Sequence, residues 1–288
     1  MNNCLTKGEK FFDVINVIVM CLLMFVTIYP LEFVLVSSIS NPDAVTQGLV
    51  WFWPVGFSLD AFKHVVNMKE IWVSYGNTVF YSIFGAGFAL IVTACGAYPL
   101  SRKKFFGQRF ISILVLLTMW FNAGIIPFYL NIKRLGLLDN RLVMIIGFAC
   151  SAFYVILMRT FFKSLPDSLE ESAKIDGAND LIVFFKIYLP LAKPALATVG
   201  LYYFVERWNS YFWNMILMNN PNKISLQVLL RKFVVMMNAP AGNGDVMANN
   251  TQTIIYAIIV LAVVPMLAVY PFIQKYFVKG IMLGAVKG

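Results

Sequence analysis

Glu206 and Arg207 stand side by side inside an otherwise apolar run, in the stretch GLYYFVERWNSYFWN. A charged side chain at mid-bilayer costs about 2.5–3.5 kcal/mol or more, so such a residue marks a functional position by default. On a helix of 3.6 residues per turn the two neighbours project about 100° apart and cannot both face one partner squarely. Tyr202, Glu206, Asn209 and Trp213 step by 4, 3 and 4 along one face. That face mixes aromatic rings with hydrogen-bonding groups, which suits a solute with apolar C–H faces and many hydroxyls, as a saccharide has. A rival face carries Tyr203, Arg207, Ser210 and Asn214. An uncharged saccharide does not require Glu206 and an acidic one favours Arg207, so the spacing leaves both faces open. It also admits contact with another chain, or charges snorkelling to water. Trp120, Asn122 and Tyr129 of an earlier apolar run are secondary path candidates.

Other chemistry finds no residues to carry it. There is no carboxylate pair of the kind glycosyl transfer needs, and His64 is the sole histidine. Cys4, Cys21, Cys95 and Cys150 form no CxxC pair and read as small packing residues rather than a disulfide framework or metal site. No G-x-x-x-x-G-K-[ST] loop is present, so ATP is not bound in the usual way. The expectation is a chain with no catalytic residue, no metal and no cofactor of its own, acting in transport rather than as an enzyme. An ATP-independent channel or secondary transporter would lack the loop too, but a secondary transporter is expected to show inverted repeats or ionisable residues in several spans.

The elements that must position these residues follow from composition. Of 288 residues 60% are hydrophobic and 13% charged, and the mean hydropathy is +0.75. A soluble domain carries about 25% charged residues. The chain is therefore read as an all-α polytopic membrane protein forming one transmembrane domain. The net charge of +9 reads as loop anchors rather than a nucleic-acid surface. Six apolar segments approach the roughly 20 residues a spanning helix needs, at 14–38, 73–100, 110–132, 142–158, 194–218 and 253–274. No small-x-small cleavage site cleanly follows the first, so it is expected to be retained. With both termini inside, inner segments hold 14 of the 23 basic residues and outer ones 8. The bias puts both termini in the cytoplasm, SRKKFFGQR being the strongest vote and Lys133, Arg134 and Arg141 the votes against.

Outward-facing parts are then LVWFWP, an interfacial aromatic cluster, and SLDAFKHVVNMKEIW, where Leu59, Phe62, Val66 and Lys69 predict a surface helix. A second outer segment carries LQVLLRKFVVMM and the turn-rich APAGNGD. Ser82, Ala86, Ala89, Thr93 and Ala97 keep a face of the second span small enough for another helix to approach closely.

The inner segment 159–193 is too polar to span and too patterned for an idle loop. Pro166 blocks continuation of the fourth span, and Ser168 with Glu171 predicts a capping box that starts a new helix. Gly177 supplies a turn at positive φ. Asn179 or Asp180 caps a second helix that Pro190 ends. Leu181, Phe184, Phe185 and Tyr188 recur at helical spacing, to pack on the chain's own spans or to enter a partner's groove.

Here the residues carry a resemblance. Glu171-Ser172-Ala173, three residues, Gly177, nine residues, then Ile187-Tyr188-Leu189-Pro190 resembles the E-A-A-x3-G-x9-I-x-L-P loop of ABC importer permeases, with Ser172 for the usual first Ala. GNTVFYSIFG, AYPLSRKKF, IIPFYLNIKRLGLLDN, YLPLAKPALA and WNSYFWNMIL extend it over nearly the whole chain. They resemble the carbohydrate-uptake, maltose-permease-type branch, and most of all the lipoprotein-dependent polysaccharide permeases of Gram-positive bacteria. AYPLSRKKF and WNSYFWN favour that branch over permeases for amino acids or polyamines, while Phe121-Asn122-Ala123-Gly124 departs from its F-x-G-G.

The resemblance implies a type I importer fold of six transmembrane helices with a cytoplasmic coupling helix, in a bacterial cell membrane. Its expected partners are a second homologous permease (a heterodimer), two ATPase subunits carrying ATP and Mg, an extracellular solute-binding lipoprotein, an oligosaccharide and membrane lipid, with no nucleic acid. By resemblance Glu171 pairs with a basic residue of the ATPase, Ala173 allows close approach, and Ser172 and Asp176 belong to the same ATPase-coupling set. Gly177 permits the turn, and Ile187, Leu189 and Pro190 anchor the second helix beneath the bundle. The outer segment from Lys223 to Asn250 is the expected contact for the binding protein.

Overall fold

The computed structural model describes residues 7–102, 105–237 and 252–268, and among these all regular structure is helical. The described residues fall into two units, drawn from Met1–Lys69 with Leu230–Val263 and from Glu70–Leu229 with Val264–Gly288.

In the first unit α1, Lys7–Ser38, runs 32 residues and exposes apolar side chains from Phe11 to Leu31. Such a surface is stable only where lipid or another chain replaces water. Its last turn closes a small core, Val36 with Ala44, Val45 and Val50, against which Tyr256 packs. α2, Pro42–Thr46, is capped by Asn41, whose Oδ1 accepts the Asp43 N–H at 2.8 Å. α3, Asp60–Asn67, is the expected short helix, but it buries Ala61 and Val65 while Leu59 and Val66 are exposed. Extended backbone at Met68 ends it, so Lys69 opens the next helix instead of extending this face.

The second unit is organised on α4, Lys69–Ser101. The small face is buried as expected: Ser82, Ala89, Thr93 and Ala97 have no exposed surface and Ala86 almost none. A Cβ added at Gly85 would lie 3.3 Å from both Arg207 Cδ and the Met144 carbonyl, so neighbouring backbone comes close here. α4 and α1 are the two described helices long and apolar enough to cross a membrane.

Three expected spans are broken. The third is α5, Gln108–Trp120, and α6, Ile125–Arg134, bent by 113°. Gly124 adopts φ +85, a conformation costly for other residues, and Asn122 Oδ1 accepts its N–H at 2.9 Å. The fourth is α7, Arg141–Ile146, and α8, Ala152–Ser164, separated by 147–151. After α9, Asp167–Ile175, and α10, Asp180–Val183, a π-helical turn Phe184–Tyr188 leads into α11, Leu189–Leu191. The fifth span is α12, Lys193–Trp208, and α13, Phe212–Leu217, rather than one helix over 194–218. Counting each sufficiently bent pair as one span gives up to four, and Gln252–Ala268 is a shorter apolar helix whose expected continuation to 274 lies outside the described residues. The outer segment begins as α14, Leu226–Met237, while APAGNGD lies outside the described residues.

Cys21, Cys95 and Cys150 are free and exposed, so they do not pack inside the chain as read; Cys4 lies outside the described residues.

Candidate functional site

Segment 166–191 forms helix, glycine turn, helix. Pro166, not Ser168, holds the N-cap position of α9, and no side chain caps it, so the Ser168–Glu171 box does not form. Pro166, extended at φ −59 and ψ 132, lets the helix start at Asp167, so the cap falls two residues before Ser168. Asp167 and Glu170 in the first turn complement the helix dipole instead. Gly177 turns the chain at φ +81 with open space around it. Asn179 Oδ1 accepts the Ile182 N–H at 2.8 Å and starts the second helix.

Pro190 does not end that helix, which continues through Leu191. The π turn is the reason: the Leu189 N–H donates to the Phe184 carbonyl, and the wider turn relieves the clash of a proline ring with the preceding turn. The break comes at Ala192, where the chain bends by 80° into α12.

The apolar positions of the second helix divide between the two roles left open. Val183, Phe184 and Tyr188 are buried in the unit's core with Tyr98 and Phe162, and Ile187, Leu189 and Ala173 pack against it. Leu181, Ile182 and Phe185 are exposed, and Ile175, beside the glycine turn, is 86% exposed. Glu171, Ser172, Asp176 and Pro190 are exposed as well.

A charge network at the root escapes sequence reasoning. Arg102, which reads as one basic residue of SRKKFFGQR, donates through Nη1 to Glu170 Oε2 at 3.1 Å and to the Tyr188 hydroxyl, and through Nη2 to the Phe162 carbonyl at 2.8 Å. Its guanidinium lies 4.4 Å from the Tyr188 ring centre. Lys174 bonds Glu170 Oε1 at 2.7 Å and reaches Asp180 at 2.9 Å across the Gly177 turn. Burial works to raise the Glu170 carboxyl, but Lys174 and Arg102 outweigh it and hold it below its ordinary value. The bond to Glu170, then Asp180, raises Lys174.

On the expected path, Tyr154 donates to Glu206 Oε1 at 2.5 Å and stacks on Tyr202, with ring centres 5.7 Å apart and planes within 10°. Glu206 and Asn209 are exposed, and Asn209 is turned back on the Val205 carbonyl at 3.1 Å. The helix ends there, so the stripe does not run unbroken to Trp213. Trp213 packs instead with Phe128 and Phe148, at 4.7 and 5.7 Å between ring centres. In the third span's elbow Trp120 is 85% exposed, Asn122 makes the turn, and Tyr129 is half-buried on α6.

The rival face points inward. Tyr203, Arg207 and Asn214 are buried. Arg207 donates to the Phe148 carbonyl, and its guanidinium lies 5.1 Å from the Phe148 ring centre. The Tyr203 hydroxyl accepts the Ser151 N–H at 3.1 Å and shares a 2.7 Å bond with Thr93. Side chains of α12 thus satisfy two groups of the opened backbone between α7 and α8, the Phe148 carbonyl and the Ser151 N–H. Irregular backbone at membrane depth requires such partners. Ser225 N–H donates to Asn214 Oδ1 at 2.7 Å.

A second polar knot ties the loop after α6 to 219–226. Asp139, at φ +54, accepts the N–H groups of Asn219 and Asn220 at 3.1 and 3.0 Å and pairs with Lys223 at 3.2 Å. Arg141 donates to Asn77 Oδ1 at 2.9 Å. The bond from Asn220, then those from Lys223 and Asn219, hold the Asp139 carboxyl below its usual range against a partial opposing effect of burial. Arg141, a vote against the orientation, therefore has a structural task.

Comparison with known proteins follows the same residues. The model of the family described as "Binding-protein-dependent transport system inner membrane component" matches residues 6–283. Protein LplC of Bacillus subtilis (strain 168) is 39% identical over 286 residues, covering 98% of this chain and 97% of that protein. The polygalacturonan/rhamnogalacturonan transport system permease protein YtcP of the same organism is 42% identical over 273 residues, covering 93% and 96%. A solved structure of a bacterial ABC transporter involved in the import of the acidic polysaccharide alginate contains a chain with 43% identity and a TM-score of 0.89, covering 95% of this chain and 99% of that one.

Proposed function

The chain belongs to the family of binding-protein-dependent transport system inner membrane components, and from that premise we propose how it works. It is a multi-pass permease subunit of an ABC importer, and its proposed cargo is an oligosaccharide or polysaccharide. The named cargoes of YtcP and of the alginate importer support a saccharide. Energy comes from a separate ATPase that docks on 166–191, which places that segment and both termini in the cytoplasm. A second permease completes the pathway, and a solute-binding lipoprotein delivers the sugar from outside.

One observation carries the docking: the glycine turn presents Ile175, Leu181, Ile182 and Phe185 to the exterior while Phe184 and Tyr188 root the same segment in the core. An exposed apolar rim on a rooted lever fits a partner's groove. Closure of the two ATPases then rocks the spans between inward- and outward-facing states. The proposed sugar path runs past Tyr202 and Glu206, with the Tyr154 hydroxyl orienting the carboxylate, and past Trp120, Asn122 and Tyr129. Trp213 supports its wall through the aromatic group with Phe128 and Phe148.

A photo-crosslinker in place of Ile175 tests docking. In membranes holding the assembled complex it should trap the ATPase subunit. Crosslinks to lipid and to other permease segments alone would overturn the assignment.

A further inference from the structure

Any force applied near Ile175 must reach the spans, and the two covalent routes are poor conductors. Toward α8 the chain passes through Leu165 and Pro166, both extended and outside either helix. Toward α12 it passes through the 80° bend at Ala192. Phe184 and Tyr188 hold the second limb in the core, but α9, the limb that carries Ile175, buries no residue of its own and can swivel on the first of these joints.

Arg102 supplies an attachment that fastens α9 directly. It sits at the C-terminal end of α4, 68 residues before Glu170, and its side chain is 10% exposed, that of Glu170 16%. One guanidinium joins four elements: Ser101 at the end of α4 at 2.9 Å, the Phe162 carbonyl near the end of α8, Glu170 on α9, and Tyr188 in the π turn. The Glu170–Lys174–Asp180 relay then ties both limbs of the glycine turn to this point. α4 in turn lays its small face against the helices that carry the proposed path, Thr93 bonding Tyr203 on α12.

We propose that Arg102 is a positioning residue that locks the ATPase-docking segment to α4, so that the two move as one body. This role rests on the docking function proposed above. Only a planar, multi-donor cation meets Glu170, the Phe162 carbonyl and the Tyr188 hydroxyl together. A lysine retains the charge with fewer fixed donors.

The first test needs no ATPase. Spin labels at the exposed native Cys95 on α4 and at Ser168→Cys on α9, with the other cysteines replaced by serine, report the distance between α4 and α9 in the membrane-inserted chain. The native sequence should give one narrow distribution, and Arg102→Gln a broad or shifted one, with Arg102→Lys between them. An Arg102→Gln distribution as narrow as the native one, at the same distance, overturns the lock. If Arg102→Gln does not insert, Glu170→Gln removes the same pair from the other side and is judged by the same two outcomes. The second test uses the reconstituted complex. Arg102→Gln should keep the ATPase bound while saccharide moved per ATP falls roughly fivefold or more, within the usual range of couplings between sites. An unchanged ratio, or loss of bound ATPase in proportion to lost uptake, overturns the lock. Failure of the native complex to import counts instead against the proposed function, which the spin-label distances do not depend on.

Discussion

Two arginines, Arg102 half-buried and Arg207 buried, divide the work of this chain. Arg102 lies at the end of α4 among carboxylates, and its partners come from four elements. Arg207 lies inside α12, 7% exposed, and its partner is the Phe148 carbonyl; among the described residues its Nε is left without one. The first links four elements through charge and hydrogen bonds at the end of a helix. The second caps a carbonyl of an opened stretch of backbone in a buried setting, where an added carboxylate would bring its own desolvation cost. The same side chain is a coupling device in one place and a backbone cap in the other.

That contrast breaks at its deeper member with the largest effect. Arg207→Ala removes a charged hydrogen bond and leaves the Phe148 carbonyl without it, for a loss of about 1.5–3 kcal/mol. Thermal unfolding in detergent should show it, whereas a variant as stable as the native chain would mean that the 147–151 break needs no cap. A smaller effect is expected at the docking end. Gly177→Ala forces a side chain into φ +81, with a strain of about 1–2 kcal/mol confined to the turn. Global stability should change little while ATPase co-purification falls; full retention of the ATPase would show that the turn tolerates a Cβ.

The smallest effect separates the arginines by pH. Glu170 has a lowered carboxyl, so its contribution is complete above its unfolded value of about 4.3 and is lost as pH falls through the lower folded value. Lys174 is raised, so its contribution is complete below its unfolded value of about 10.4 and is lost as pH rises through the higher folded one. A spin label at Ser168 should therefore keep constant mobility between these limits and loosen beyond either. Loosening near neutrality would remove the network as the root's fastening.

The docking segment was largely legible in the sequence because its signals are local. Gly177 and Asn179 sit where turn and cap chemistry need them, and the structure uses both. Its errors were local too: a proline at the N-cap displaced the Ser168 box, and a π turn carried the helix past Pro190. The span interiors were less legible. Hydropathy cannot see the breaks at 121–124, 147–151 and 209–211, because the groups that satisfy some of that opened backbone come from distant residues such as Arg207 and Tyr203. For the same reason a stripe drawn on an ideal helix joined Glu206 to Trp213, which the end of α12 at Trp208 separates. The small face of α4 needed no such partner information and is buried as its period predicts. Arg102 was visible only as positive charge, since its acidic partner lies 68 residues away.

The central claim is that this chain passes saccharide only when a partner ATPase drives the 166–191 segment. Uptake of acidic and neutral oligosaccharides into proteoliposomes holding the full complex measures it directly. The account predicts ATP-dependent accumulation of one class, abolished by Glu171→Ala together with Ile175→Asp and absent when the permease is reconstituted alone. Accumulation by the permease alone, or undiminished uptake by the doubly substituted complex, would contradict it.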